Sequence, residues 1–358
     1  MNKNILYFTR TMGLGGTEKV VVQLCKLMNK DNKVIVCSCG GVNIELLNSM
    51  GIKHYIIPDI ENKSPINIVK TIKILIKIIK NENIDIIHTH HRMAAFYTRV
   101  LTFFKDFYFI NTAHNIFTDK KKLTRFAYKN ATIVAVGDHV KKNLIEFYNL
   151  PKENVNVIYN AVESLNMPIR TIECINKWKS EGKFIIGNIG RLSEQKGMIY
   201  FLKAAKILLE KYSNLKFIIV GEGELRGELE AYIKKNSLYD SIILLGYRED
   251  VQNIMAQIDL VVLSSLWEGF PLTPIEAFSV GKTVIATNIE GTVEIVKDKE
   301  NGLLVEVCNE IDLSDKIEFL LKNNNELDKY NKAAQETYNN NYDMNKFNNS
   351  HVQLYIRR

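Results

Sequence analysis

Cysteine is scarce in this chain and badly placed for structural chemistry. The 358 residues hold five cysteines (Cys25, Cys37, Cys39, Cys174, Cys308), an odd number with no Cys-x-x-Cys pair. A zinc site and a disulfide framework therefore lack support, and a reducing, cytoplasmic setting is the expectation. Cys37 and Cys39 stand two apart on a predicted strand and are expected as buried thiols on one face. Long apolar runs are also missing. Nothing reaches the ~18 consecutive apolar residues of a membrane span. The run Ile5-Leu6-Tyr7-Phe8, after Met1-Asn2-Lys3-Asn4, is too short for a signal peptide and reads as a first strand. No short-period repeat or long low-complexity segment is present.

What is there is charge, unevenly shared. Residues 1–165 carry 23 Lys+Arg against 13 Asp+Glu, whereas residues 166–358 carry 24 against 27, within a net charge of +7. Lys-rich composition alone would not separate the halves in this way, so the first half is expected to face an acidic partner surface.

Short β-branched runs alternate with helical patterns. Strands are predicted over 4–9, 33–38, 53–57, 84–88, 107–112, 132–136 and 155–159. Helices fall between them over 17–29, 43–50, 65–80, 92–104, 119–129 and 138–147. The pattern lapses over 160–182 and restarts at 183–190. Strands then follow near 215–220, 241–245, 259–263, 283–286 and 303–305, and helices over 311–323, 326–340 and 343–356 close the chain. Such alternation implies α/β architecture with parallel strands in two Rossmann-like units. The expected division is 1–165, 166–342 and a C-terminal helix over 343–358, with the ligand between the units.

Three stretches carry chemistry. Met12-Gly13-Leu14-Gly15-Gly16-Thr17-Glu18 follows the first strand and opens a helix, so its amides can meet a phosphate. It is not a dinucleotide fingerprint, because the third glycine would fall at Glu18 and Cys37-Ser38-Cys39-Gly40 replaces the expected acid. The plainer reading is a tight turn with Thr17 as N-cap. Arg191 leaves the strand over 183–190, and Lys196 enters at the next helix start. Lysine is unfavourable there, because the dipole is already positive. A diphosphate would explain both cations; two solvated surface charges are the alternative.

The third stretch is Glu268-Gly-Phe-Pro-Leu-Thr-Pro-Ile-Glu276, between the strand Leu260–Leu263 and a helix. Thr273-Pro274-Ile275-Glu276 matches a capping box with proline at the first helical position, which would make Glu276 structural. Glu268 has no such explanation. Paired glutamates allow a hydrolase reading, yet the upstream cations suit a phosphate leaving group and favour transfer.

His88, His90 and His91 follow an apolar strand and read as cleft-lining residues or, less well, as metal ligands, since no carboxylate or cysteine joins them. His114 follows another strand end. In the helix over 65–80, Lys70, Lys73, Lys77 and Lys80 form one stripe. They either snorkel from a packed helix or dock on an anionic membrane. Tyr97, Phe103, Phe104, Lys105, Lys120-Lys121-Lys122 and Arg125 would extend that surface.

Taken together, Gly190-Arg191-Leu192-Ser193 to Lys196-Gly197, Val220-Gly221-Glu222-Gly223, Leu245-Gly246-Tyr247-Arg248, Glu268–Glu276 and Gly281–Thr287 resemble the retaining glycosyltransferases of family 4. Gly15-Gly16-Thr17-Glu18, Asp85–His90, Ala113-His114-Asn115 and Ile158–Ala161 match more loosely. The resemblance implies the GT-B fold, two Rossmann-like domains facing each other across a cleft, with the C-terminal helix returning to the first. It implies that Arg191 and Lys196 hold a nucleotide diphosphate and stabilise departing charge. Glu268, with the amides of Gly269, Phe270, Pro271–Leu272, would hold donor sugar and phosphates, and Glu276 the ribose. Backbone near Tyr247 and Arg248 would meet the base, Gly15 and Gly16 would close over the phosphates, and His114 would contact the sugar. Asn160-Ala161-Val162 departs from the family's Asn-Gly-Val at the hinge. No metal or other cofactor is required, and no Asp-x-Asp motif occurs. The expected activity is retaining transfer, by a hexosyl- or N-acetylhexosaminyltransferase, from a nucleotide-diphosphate sugar to a cell-envelope glycan or lipid-linked saccharide. The expected location is the cytoplasm or the inner membrane face, with no nucleic-acid partner. A nucleotide-sugar 2-epimerase and a non-catalytic sugar-nucleotide binding module are the alternatives.

Overall fold

The computed structural model describes residues 3–165 and 168–356. Met1 and Asn2, the expected boundary at Asn166 and Met167, and the last two residues of the predicted C-terminal helix lie outside them. The chain divides into two compact units, one running to Asn160 and taking up the chain again from Phe347, the other Ala161–Lys346.

The first unit holds seven parallel strands: β1 (Asn4–Phe8), β2 (Lys33–Ser38), β3 (Lys53–Ile56), β4 (Ile86–Thr89), β5 (Tyr108–Ala113), β6 (Thr132–Ala135) and β7 (Val155–Val157). Their order is β3-β2-β1-β4-β5-β6-β7. The second unit holds β8 (Phe184–Ile189), β9 (Leu215–Val220), β10 (Ile242–Leu244), β11 (Leu260–Leu263), β12 (Val284–Thr287) and β13 (Gly302–Val305). Here the order is β10-β9-β8-β11-β12-β13, again with every pairing parallel. Parallel strands are covered on both faces by their crossover helices, which is why β1 from Ile5 onward and the whole of β11 are buried. In each sheet the order reverses once, between β1 and β4 and between β8 and β11, and a crevice opens at the carboxyl ends of such a strand pair.

The core of the second unit gathers Phe201, Phe217, Leu202, Ile186, Val262 and Ile317, with the two phenylalanine rings edge to face at 5.7 Å. Each such side chain contributes roughly 1.5–3 kcal/mol by leaving water. In the first unit the C-terminal helix Met344–Ile356 buries Phe347, His351, Leu354 and Tyr355. A hydrogen-bond chain ties it to the sheet. Tyr355 donates to the Tyr7 hydroxyl at 3.0 Å, Tyr7 donates to the Leu24 carbonyl at 3.5 Å, and His88 Nδ1 meets the Tyr355 hydroxyl.

Several local expectations are corrected. The lapse over 160–182 contains a helix, Glu173–Ser180, whose only buried residues are Ile175 and Trp178, too few to give a periodic signal. The predicted helix over 138–147 is α-helical over Asp138–Lys142 and widens to a π-helical turn over Asn143–Phe147. Cys37 is buried but Cys39 lies beyond β2 and is partly exposed. Tyr97, expected on the surface, is buried in the helix Arg92–Leu101 with its ring 6.4 Å from Phe8, because that face of the helix lies on the sheet.

Candidate functional site

In the second unit the segments after β8 and β11 meet where the strand order reverses. Lys196 comes from the first and Glu268 from the second. Lys196 Nζ lies 2.5 Å from Glu268 Oε1, with only 17% and 7% of the two side chains exposed. The Ser265 hydroxyl donates to the same oxygen at 2.7 Å, and Gln195 Nε2 reaches Glu268 Oε2 at 3.4 Å. The frame around the pair is tied at both strands. Asn188 Nδ2 donates to Ser264 Oγ at 2.9 Å, Ser264 Oγ donates to the Lys196 carbonyl at 3.1 Å, and Leu266 N donates to the Gln195 carbonyl at 2.7 Å. Gly197 completes the turn at φ +55°, where a Cβ would stand 2.3 Å from the Ser264 carbonyl oxygen. A side chain there would push the two segments apart. Gly291 plays the same part beneath the acid, since its Cβ would meet the carbonyl oxygens of Gly269 and Glu268 at 2.5 and 2.7 Å.

Arg191 and Lys196, expected together at a diphosphate, have different ion-pair partners in the free protein. Arg191 is 73% exposed and sits 3.3 Å from Glu224, while Lys196 is enclosed with Glu268. A shared sequence motif put them together, but a six-residue turn carries them to different surroundings. Glu268 is thus joined to a cation already in the free protein. The capping-box reading of Glu276 is overturned. The helix is Leu272–Ser279 with Pro271 at the N-cap, so Thr273 is inside it and its hydroxyl donates to the Ile189 carbonyl at 3.4 Å. Glu276 lies in the second turn, buried, and the N-cap, Pro271, has no N–H for it to accept from. Gly269, Phe270 and Pro271 are buried beneath the loop, Leu272 is partly exposed, and the Phe270 ring stands edge-on to Tyr342 at 5.9 Å. After β10, Gly246 turns at φ +70°, Tyr247 is half-exposed, and Arg248 holds Asp250 through two bonds of 2.8 Å. The segments after β10, β8 and β11 line one sheet edge over three strand spacings, ~14 Å, enough for an extended ligand. Ser264, Ser265 and Gln195 were not read as site residues, although Ser264-Ser265 directly follows the strand.

In the first unit, Gly15 is the N-cap of the helix Gly16–Met28 without a side-chain cap, so Thr17 lies inside the helix and does not cap it. Glu18 folds back over the loop. Its Oε1 accepts from Thr11 Oγ1 at 2.5 Å, and a Cβ on Gly15 would meet its other oxygen at 2.5 Å. An acid in the first turn already complements the dipole there.

Three histidines form a column, His88 and His90 buried and His114 at its partly exposed end. The His88 and His90 ring centroids are 4.3 Å apart, and His90 Nδ1 lies 3.0 Å from His114 Nε2. His88 Nε2 accepts from the Thr112 hydroxyl at 2.7 Å. Burial, then neighbouring imidazoles, holds His88 and His90 well below the usual histidine range and pushes His114 down to about 3. His91 departs from the column. Its Nδ1 accepts from Met93 N at 3.2 Å at a helix start, and its Nε2 faces Glu61 at 3.5 Å. The cavity of about 360 Å³ beside Lys3, Asp85 and Tyr108 is at the opposite, amino-terminal edge of this sheet and belongs to neither constellation.

Comparison with known proteins gives the family and the fold. Residues 172–337 match the family model described as Glycosyl transferases group 1, and residues 14–164 that of Glycosyltransferase Family 4. The chain is 31% identical over 327 residues to the UDP-Gal:alpha-D-GlcNAc-diphosphoundecaprenol alpha-1,3-galactosyltransferase of Escherichia coli, covering 84% of this chain and 82% of that one. It is 32% identical over 170 residues to an N-acetylgalactosaminyltransferase of Campylobacter jejuni that acts on a diphospho-undecaprenol saccharide, covering 47% of this chain and 45% of that one. Among solved structures, a glycosyltransferase from Rickettsia africae superposes with TM-score 0.84 at 24% identity over 99% of this chain and 98% of that one. Anabaena HepE in complex with UDP-glucose superposes with TM-score 0.85 at 20% identity over 98% and 99%. Two parallel-sheet Rossmann-like units and this set of relatives identify the chain as a glycosyltransferase of family 4 with the GT-B fold.

Proposed function

We propose that the chain transfers a hexose or N-acetylhexosamine, with retention, from a UDP-sugar to a saccharide carried on a lipid diphosphate. The observation that carries this reading is the enclosed Lys196–Glu268 pair at the carboxyl ends of β8 and β11. In such a position an ammonium can take up the charge that develops on a departing diphosphate. The start of the helix Leu272–Ser279 adds its amides and dipole. Glu268 then competes with the diphosphate for Lys196 and accepts from sugar hydroxyls, Glu276 takes the ribose, and the segment at Tyr247–Arg248 the base. Arg191, exposed on its partner Glu224, meets the phosphates from the solvent side. Positive charge comes from the protein, so transfer is expected to proceed in EDTA. UDP as the nucleotide and a polyprenyl diphosphate as the carrier are supported by the substrates named for the Escherichia coli relative and by the UDP-glucose complex of HepE. The test is release of UDP from UDP-galactose, UDP-glucose and their N-acetyl forms, with and without a diphospho-undecaprenol saccharide. Acceptor-dependent UDP release with an α-linked product is expected. Sugar epimerisation without acceptor, or binding without release, would replace this reading by the isomerase or the binding module.

A lipid-borne acceptor brings in a membrane surface, and the first unit has one suited to it. No helix of the described residues is long and apolar enough to cross a membrane. On the helix Pro65–Asn81, Lys70, Lys73, Lys77 and Lys80 are exposed together with Ile66, Val69 and Ile76. Beyond the helix Arg92–Leu101, Phe103 and Phe104 are 65% and 72% exposed. Lys105 Nζ donates to the Ile79 carbonyl at 3.4 Å, which brings this aromatic tip beside the end of the lysine helix. Adjacent exposed aromatics rimmed by lysines suit the interface of an anionic bilayer.

A further inference from the structure

The column of histidines contains an asymmetry that decides where one proton sits. His90 Nδ1 and His114 Nε2 are 3.0 Å apart, so one nitrogen donates and the other accepts. All three rings are held neutral, by loss of hydration and by the neighbouring imidazoles, so each carries a single N–H. If His114 donated, the N–H of His90 would be on Nε2. That atom is buried with no hydrogen-bond partner among the described residues. If His90 donates through Nδ1–H, its Nε2 is only a bare lone pair. Burying an orphan N–H is the costlier alternative, because an acceptor tolerates loss of a partner better than a donor does. The surroundings offer the N–H nothing. His88 Nε2 is engaged with Thr112, His351 Nδ1 donates to the Phe347 carbonyl at 3.0 Å, and His351 Nε2 is itself buried without a partner among the described residues. Tyr7, at 5.9 Å between ring centroids, has its hydroxyl committed to Leu24 and Tyr355.

We propose that His90 is a positioning residue that fixes His114 in the Nδ1–H tautomer, so that His114 offers a hydrogen-bond donor to a ligand oxygen at the carboxyl edge of the first unit's sheet. The nitrogen engaged by one partner determines which nitrogen is free to act. His114 then presents a neutral N–H, suited to an oxygen acceptor such as a sugar hydroxyl or phosphate oxygen, and does so across physiological pH. That the acceptor belongs to the UDP-sugar of the proposed function is what the second arm of the test decides; the tautomer does not depend on it.

The test begins without substrate. Long-range proton–nitrogen correlation on the enzyme labelled with ¹⁵N-histidine, assigned through His90→Gln and His114→Gln, is expected to show His114 protonated on Nδ1 and His90 protonated on Nδ1. Protonation of His114 on Nε2 overturns the inference. In the second arm, His90→Phe removes the donor while His90→Gln supplies an amide N–H in its place. KM for the UDP-sugar is expected to rise about tenfold in the first, the loss of one hydrogen bond, and to remain within about threefold of wild type in the second. Equal losses in both variants at wild-type melting temperature would reduce His90 to packing and overturn the positioning role. The expected tautomer with an unchanged KM in His90→Phe would instead overturn the placing of His114 at the donor and leave the tautomer standing.

Discussion

Lys196 and Glu268 neutralise one another in the free protein, which makes their variants unequal. Lys196→Ala is expected to lower kcat about 100- to 1000-fold, the usual loss when one charge-stabilising group is removed. It also strands a carboxylate that is 7% exposed, so part of its effect is on stability. The double variant Lys196→Ala/Glu268→Gln should regain melting temperature but not turnover. Recovery of turnover would remove Lys196 from the reaction. Glu268→Gln releases the ammonium from its internal competitor, so UDP should bind more tightly while transfer falls. Calorimetry with UDP reads the first and a transfer assay the second; weaker UDP binding would place the pair away from the phosphates. Glu268 was legible in the sequence as the acid with no bland explanation. Its partner was assigned to a phosphate instead, because no pattern in the chain tells which of two cations will fold onto it.

Elements are held at their ends by polar anchors that burial makes costly to lose. Glu82, the C-cap of the helix Pro65–Asn81, is held at about 2 by hydrogen bonds from Lys33, Lys53 and Tyr55. Its folded-state value is below the ordinary carboxylate value of 4.5, so its contribution to stability is complete above that value. It is lost as pH falls towards 2. Wild type should therefore melt above Glu82→Gln at pH 7, and the gap should close on acidification; a gap independent of pH would assign the anchor to shape alone. At the other end of the chain, Tyr355 is both acceptor for His88 and donor to Tyr7. Tyr355→Phe leaves two buried groups short of a partner, at a cost of about 1–3 kcal/mol, readable by denaturant unfolding. Periodicity located these helices to within a few residues. It missed Glu173–Ser180, with two apolar contacts, and misplaced both glycine- and threonine-led helix starts. Caps depend on backbone angles that propensity alone does not determine.

For the whole molecule, acid and anionic surfaces are the informative perturbations. His88, His90 and His351 are buried and neutral, with His351 pushed down to about 4 by burial. The unfolded chain binds these protons near pH 6.5 and the folded chain does not, so stability should decline as pH falls below 6.5. A melting temperature flat from pH 7.5 to 5.5 would mean that the column is hydrated. Binding to vesicles containing anionic lipid is expected at low salt and should fade as salt screens the lysines. Phe103→Ser/Phe104→Ser should weaken it at every salt concentration, whereas Lys77→Glu/Lys80→Glu should remove mainly the salt-dependent part. Absence of sedimentation at low salt would end the docking proposal.

By itself the sequence determined the alternation of strands and helices, the parallel sheets that follow from it, and the short segments after β8 and β11 that carry Lys196 and Glu268. These are consequences of local pattern, since crossover connections permit few topologies. Only the tertiary structure decided which charges meet. Arg191 and Lys196 are five residues apart yet have different partners, while Lys196 and Glu268 are 72 apart and touch. The same holds for Tyr355 and His88, 267 residues apart. Strand order brings distant loops together, and that order is settled by how helices cover the sheet faces rather than by any single stretch of chain.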